Sequence, residues 1–343
     1  MEMEEVFKEI CQRFRSDERR LADDQELVAK YGPLFHPSNL NALTREQFKS
    51  FLSFKNNKHW AGIHRQGNLI TRDMDRLRSA LKILLDENEP IVERLDKLFP
   101  RSQPNYIKGL GRAVATTILI TVYPDKYPTY TSRSEAALKK LGLHPEFSGE
   151  GFGERYVKIR GIICDLAKRY DGSLLQIDGA FGQLADIDSE IGTAEDEESA
   201  EIEGYDIESK QEFGLESHLE DFLVENWEKT SLGKRYSLLE EDGDMIGQQY
   251  RTNIGRIDLL AREKKTGDWV VIELKKGRPS ISVVGQLALY MGWVQDNLAR
   301  GEEEVKGVII AGEADEKLKY AVEPIPGVEL FTYSVKFDLQ QES

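Results

Sequence analysis

The sequence predicts two domains, a mainly α-helical N-terminal one and an α/β C-terminal one built on a mixed central sheet. Three observations lead there. Residues 1–185 carry apolar side chains at helical spacing. Residues 186–210 are dense in acid and poor in large apolar side chains, the profile of an extended linker. Residues 211–343 read as helix, four strands, helix, strand, helix and strand. At 343 residues the chain is long enough to bury two separate cores.

In the N-terminal region Val6, Ile10 and Phe14 recur every four residues. Leu21, Leu27, Val28 and Tyr31 follow, and the helical run is expected to break at Gly32-Pro33. Residues 51–65 then gather Lys55, Lys58, His59, Trp60, His64 and Arg65 with little acid. Basic side chains interleaved with an aromatic are what a phosphate-tracking, base-stacking surface uses. A loop anchored by one tryptophan fits the same residues equally well. His59 and His64 have no acid or cysteine beside them and make a poor metal site. Leu77, Leu81, Leu84 and Leu85, then Ile91, Leu95 and Leu98, predict two scaffold helices with a break at Glu89-Pro90.

The stretch from Tyr106 to Ala115 reads YIKGLGRAVA. A Gly109-Leu110-Gly111 turn running into an apolar helix frees backbone N–H groups for a phosphate, with Lys108 and Arg112 adding charge. This element resembles a helix-hairpin-helix hairpin, and the sequel from Tyr123 to Gly142 has the spacing found in helix-hairpin-helix DNA glycosylases. That family places its catalytic aspartate near Thr131 of this chain, and a threonine supplies no carboxylate. The resemblance therefore implies DNA binding through Lys108, Gly109, Gly111 and Arg112 rather than base excision. Phe152 to Tyr170, with Arg155, Lys158, Arg160, Lys168 and Arg169, reads as a closing basic helix or as a solvated charged face.

The formal charge of −15 argues against wholesale coating of DNA, but it is unevenly spread. Residues 186–210 hold eleven acids and one lysine, whereas residues 1–185 hold 29 basic and 25 acidic side chains. Two readings of the acidic segment stand: a solubilising spacer, or a DNA mimic that occupies a basic groove until substrate displaces it. The two cysteines, Cys11 and Cys164, are far apart and suggest neither a disulfide framework nor a zinc site. No apolar stretch is long enough to cross a bilayer and no leader pattern opens the chain, so a cytoplasmic location is expected. No Gly-x-x-x-x-Gly-Lys-Ser/Thr loop appears, so a nucleotide-driven motor is not expected.

The C-terminal region carries the chemistry. In GRIDLLAREKKTGDWVVIELKK, Gly255 to Lys276, two apolar runs flank a polar, glycine-containing turn at residues 264–268, as in a β-hairpin. Each run holds acid where a buried strand prefers apolar residues. Glu273 and Lys275 share a face while Leu274 points away, and strand pairing brings Asp258 to them. Two carboxylates converging with a lysine make a hard-oxygen pocket for a small divalent cation and leave an ammonium for an anionic substrate. An isolated Glu-x-Lys, by contrast, is a common ion pair of exposed strands.

Upstream, residues 215–227 read as an amphipathic helix with Leu219, Leu223 and Trp227 on one face and Glu216 on the same stripe. Downstream, Pro279 to Leu298 reads as a helix carrying Gln286 and Tyr290 four apart. Asp, then Glu-x-Lys on the neighbouring strand, resembles the core of the PD-(D/E)XK nucleases, and Gln-x-x-x-Tyr resembles the element that follows it in RecB-like members. The phrases GQQYRTNIGRIDLLA, VVIELKKGR and VGQLALYMGWV are similar to the catalytic domain of the NucS/EndoMS endonucleases, over roughly the last third of the chain. No equivalent of that group's N-terminal domain is visible.

The resemblance implies a magnesium- or manganese-dependent endonuclease acting on double-stranded DNA. Asp258, Glu273, the Leu274 carbonyl and Glu216 would serve the metal, Lys275 the reacting water or phosphate, and Gln286 and Tyr290 the surrounding shell. The N-terminal domain, with Lys55, Lys58, Trp60 and Arg65 beside the hairpin residues, would select a sequence, a modified base, a mismatch or a lesion, in restriction or in repair. A homodimer is expected on mechanistic grounds, since a double-strand cut needs two sites. The alternative is a DNA-binding protein whose nuclease fold no longer cuts.

Overall fold

In the computed structural model, which describes residues 2–60, 62–187, 219–275 and 277–334, helix follows helix up to residue 187. They are α1 (Glu2–Ser16), α2 (Glu18–Phe35), α3 (Arg45–Leu52), α4 (Phe54–Asn57), α5 (Gly67–Ile70), α6 (Met74–Leu84), α7 (Ile91–Leu98), α8 (Arg112–Val122), α9 (Ser132–Lys140), α10 (Phe152–Arg169) and α11 (Leu174–Asp186). Polar side chains set their starts: Asp17 accepts the Arg20 N–H, and capping boxes pair Thr44 with Gln47, Thr131 with Ser134 and Ser173 with Gln176. Apolar faces meet in one core that includes Phe7, Phe35, Leu81, Leu95, Ile118, Tyr156 and Phe181. The α8 helix is buried on nearly every side, and Thr116, Thr117 and Thr121 satisfy their hydroxyls on carbonyls of the preceding turn at 2.7, 2.9 and 2.7 Å.

The expected break at Gly32-Pro33 does not occur, because α2 runs on to Phe35 with Pro33 inside it. In the last turn a proline forfeits a single ladder bond, and the fully buried Phe35 holds that turn against the core. The break between α6 and α7 falls where Glu89-Pro90 predicts it, with Pro90 as the N-cap residue of α7.

Met1–Glu198 and Glu241–Met245 make up one unit, and Ser199–Glu240 and Ile246–Ser343 the other. Of the acidic segment 186–210, only Asp186 and Ile187 lie within the described residues.

The second unit opens with a helix described over residues 219–226 (α12), followed by α13 (Ser231–Arg235). The expected stripe is corrected here. Val224 and Trp227 are buried together with Glu220, while Leu219 and Leu223 are half-exposed and Phe222 faces solvent. The face toward the sheet is thus 220/224/227, which satisfies helical spacing as well as 219/223/227 does.

Six strands follow among the described residues: β1 (Tyr236–Leu238), β2 (Gln248–Thr252), β3 (Gly255–Glu263), β4 (Trp269–Lys275), β5 (Val305–Ala311) and β6 (Val328–Thr332). β1 and β2 both pair antiparallel with β3, β3 with β4, and then β4, β5 and β6 run parallel, so the sheet is mixed as expected. The helices α14 (Ser282–Asn297) and α15 (Glu316–Val322) connect the parallel strands. Along α14, Val283, Leu287, Tyr290 and Val294 pack with Trp269 and Val271 of β4 and with Ile309 of β5.

Candidate active site

β4 is buried from Trp269 to Leu274, and Glu273 sits in that run with 0% of its surface exposed. Alternation puts Trp269, Val271 and Glu273 on the face that α14 covers. The β3–β4 register pairs Leu259 with Ile272, so the next step places Asp258 opposite Glu273. Asp258 accepts the backbone N–H of Leu274 at 2.8 Å on one oxygen and the side-chain amide of Gln249 at 3.2 Å on the other. The Lys275 ammonium lies 3.6 Å from Glu273, close enough for an ion pair and too far for a hydrogen bond.

Among the described residues, neither carboxylate oxygen of Glu273 has a hydrogen-bond partner. Burial, and then the charge of Asp258, push the Glu273 carboxyl well above the ordinary carboxylate range, with Lys275 opposing them. A buried, unbonded carboxylate is expensive to keep, and a hard divalent cation is the group that would repay it. Among the described residues, no three or more His, Cys, Asp or Glu are assembled as a metal cage. A cation of the magnesium type needs only one or two carboxylates, since it keeps several waters, and the pair Asp258 and Glu273 with both Glu273 oxygens open fits that requirement.

Tyr290 of α14 closes the other side. Its hydroxyl faces Gln286 and the backbone of Arg256, and burial followed by the Glu273 charge raises its pKa above the ordinary phenol value. A Cβ on Gly255 would lie 2.3 Å from the Tyr290 oxygen, and Gly255 holds φ +142°, so only glycine lets the ring approach β3 there.

Glu216 lies outside the described residues. The carboxylate on this helix that the structure joins to the site is Glu220, which sequence reasoning missed. It is buried and accepts a hydrogen bond from Gln249 at 2.5 Å, and the same Gln249 nitrogen reaches Asp258. A second possible stripe on α12, one residue out of phase with the first, was the signal that could have found it.

Several of the N-terminal candidates are engaged within the protein. Trp60 is buried with its indole N–H on Asp178 at 2.8 Å, so the ring is not available for base stacking. Lys58 is paired with Asp23 and Glu26 at 2.7 and 2.8 Å, and His59 is buried against Asp24. Lys55 is exposed, and Arg65 and Lys108 are half-buried.

Gly109 takes a left-handed φ of +88°, and Gly111 is the N-cap of α8, as a tight turn into that helix requires. Arg112, expected to offer its charge to phosphate, is instead 3% exposed and paired with Glu135 at 2.7 Å. Asp244, in the segment grouped with this unit, accepts the Ala113 N–H at 3.1 Å, so a protein carboxylate already caps the helix start. Thr131 serves as the N-cap of α9, a structural use of this threonine.

A mixed sheet with Asp258 opposite Glu273-x-Lys275, flanked by a helix bearing Gln286 and Tyr290, defines a nuclease-type domain. Residues 216–323 match the family described as Endonuclease NucS C-terminal domain, and this part of the chain is a NucS-like nuclease C-terminal domain. The chain is 31% identical over 74 residues to Endonuclease NucS of Methanocaldococcus jannaschii, covering 22% of this chain and 27% of that protein. It is 34% identical over 90 residues to Endonuclease NucS of Mycobacterium tuberculosis, covering 26% of this chain and 39% of that protein. The chain thus spans well under half the length of the curated relatives it matches. A solved EndoMS–dsDNA complex aligns over 36% of this chain and 46% of its own, with a TM-score of 0.29 and 21% identity. Among the described residues no helix is long and apolar enough to cross a membrane.

Proposed function

We propose that the second unit hydrolyses phosphodiester bonds of double-stranded DNA in the presence of magnesium or manganese. The observation that carries this reading is the buried Glu273 carboxylate, with both oxygens unbonded, set between Asp258 and the Lys275 ammonium. The names of the relatives and the family match over residues 216–323, each an endonuclease, support cleavage of a nucleic acid as the reaction class.

Asp258 and Glu273 would hold the cation, with Leu274 supplying a backbone carbonyl. Glu220 stands nearby through Gln249, and Glu216, four residues earlier in the sequence, would complete the metal site. When bound, the cation would lower the pKa of a water and offset charge on the phosphate. Asp258 is oriented by the Leu274 N–H, which fixes one carboxylate edge to the β4 backbone. Lys275 would place its ammonium against a non-bridging phosphate oxygen, where charge grows in the transition state, or orient the attacking water. Gln286 and Tyr290 would hold the wall behind Glu273 and keep bulk water from it.

The first unit would supply target recognition, with Lys55, Arg65 and Lys108 as its candidate contacts. Cutting both strands would require two copies of the chain. The test is incubation of the purified protein with plain, mismatched and base-modified duplexes in magnesium, with the cut positions mapped. Cleavage that disappears on chelation and in Asp258→Ala is the expected result. Binding without any cleavage would mean a DNA-binding protein with a nuclease fold, and a preference within the panel would separate a restriction role from a repair role.

A further inference from the structure

We infer that Gln249 is a positioning residue that couples Glu220 on α12 to Asp258 on β3 and so presents Glu220 to the cation site. The inference rests on the nuclease reading above and goes beyond it by assigning a role to a neutral side chain. Gln249 holds φ +52°, in the left-handed region that residues with a Cβ rarely occupy. Such backbone persists where the surroundings over-determine it, and it gathers at functional sites.

Here its consequence is visible in the neighbours. Successive side chains of a regular strand point to opposite faces, yet Gln248 and Gln249 both reach α12. Gln248 donates to Asp221 at 2.9 Å and Gln249 to Glu220 at 2.5 Å. The turn of the backbone at Gln249 is what brings its amide over to the helix while Gln248 keeps its place opposite Leu259.

The amide nitrogen has two hydrogens, and both are used: one on Glu220 and one on Asp258 at 3.2 Å. A single neutral nitrogen therefore spaces two carboxylates without neutralising either, and the two acids can be no farther apart than those two bonds laid end to end. A lysine or arginine in this place would compete with a cation for the same oxygens, and an apolar residue would remove the link from Glu220 to Asp258. Groups that orient metal-binding carboxylates in this way typically change metal affinity by about 10- to 100-fold when removed.

The test is Mn2+ binding to the full chain, followed by electron paramagnetic resonance without DNA, for wild type, Gln249→Leu, Glu220→Gln and the double variant. Gln249→Leu is expected to weaken Mn2+ binding by about 10- to 100-fold. In the double variant the loss should be smaller than the product of the two single losses, because the amide and the Glu220 carboxylate act on one coupled group. Gln249→Gly, which relieves the backbone while deleting the amide, should lose affinity like Gln249→Leu and guards against a folding effect. Cleavage by Gln249→Leu should recover at saturating Mn2+. Wild-type affinity in Gln249→Leu, or losses that multiply in the double variant, would overturn the assignment. If Asp258→Ala also binds Mn2+ like wild type, the nuclease reading itself fails, and a wild-type chain that binds no Mn2+ overturns both.

Discussion

The Asp258 carboxylate is tied to the backbone of Leu274 by a 2.8 Å hydrogen bond, so the acid of β3 is anchored between the glutamate and the lysine of β4. Geometry and charge can be separated at this residue. Asparagine in its place keeps an acceptor for the Leu274 N–H and loses the negative charge. Asp258→Asn should therefore melt near the wild-type temperature while cleaving DNA more slowly by on the order of a thousandfold or more. Paired melting curves and initial rates check this, and a large drop in melting temperature would mean that the charge serves stability instead.

Glu273 predicts a trade between stability and activity. Its folded-state pKa is raised above the unfolded value by burial and by Asp258. From the ordinary carboxylate range upward, the folded chain keeps a proton that the unfolded chain has released. Without metal, stability is consequently lost as pH rises across that window, since the unfolded state binds fewer protons there. Glu273→Gln removes the titrating group. In chelator, the variant should lose less stability than wild type between about pH 5 and 8, and it should not cleave. Denaturant melts at several pH values measure the slope, and equal slopes would show that Glu273 does not carry the buried charge.

Gly255 is the contact point of Tyr290 with β3. Alanine there meets both a φ of +142° and a phenol oxygen 2.3 Å away. Gly255→Ala should cost roughly 1–3 kcal/mol of stability in the second unit and slow cleavage by displacing the ring that covers Glu273. Tyr290→Phe, which keeps the ring and removes the hydroxyl, should be milder in stability. Chemical denaturation of the two variants compares them directly.

The strands of the candidate site are legible because their signal is periodic and local. Glu273 and Lys275 are two apart, Gln286 and Tyr290 four apart, and each spacing translates into one face of one element. The phase of α12 is ambiguous in the sequence, since Leu219 and Leu223 satisfy helical spacing as well as Glu220 and Val224 do, and apolar content favours the wrong pair. Gln249 gave no sign of itself, because a left-handed backbone at a non-glycine residue is set by tertiary surroundings. Trp60 and Arg112 were illegible for a different reason. Their partners, Asp178, Glu135 and the acids of Glu241–Met245, lie elsewhere in the chain, and composition alone made both residues look like surface DNA contacts. The mixed sheet was legible in outline, while the shortness of β1 and β2 was not, since the excursion between them follows no pattern of apolar residues.

The most direct test of the proposed active site is the magnesium-dependent cleavage rate of a duplex substrate by Lys275→Ala, measured beside its affinity for the same duplex. Lys275 is half-exposed at the rim of the buried pair and is not part of the core, so its removal leaves the fold in place. A rate lowered by several orders of magnitude with affinity essentially unchanged is the predicted result. Cleavage near the wild-type rate would contradict it.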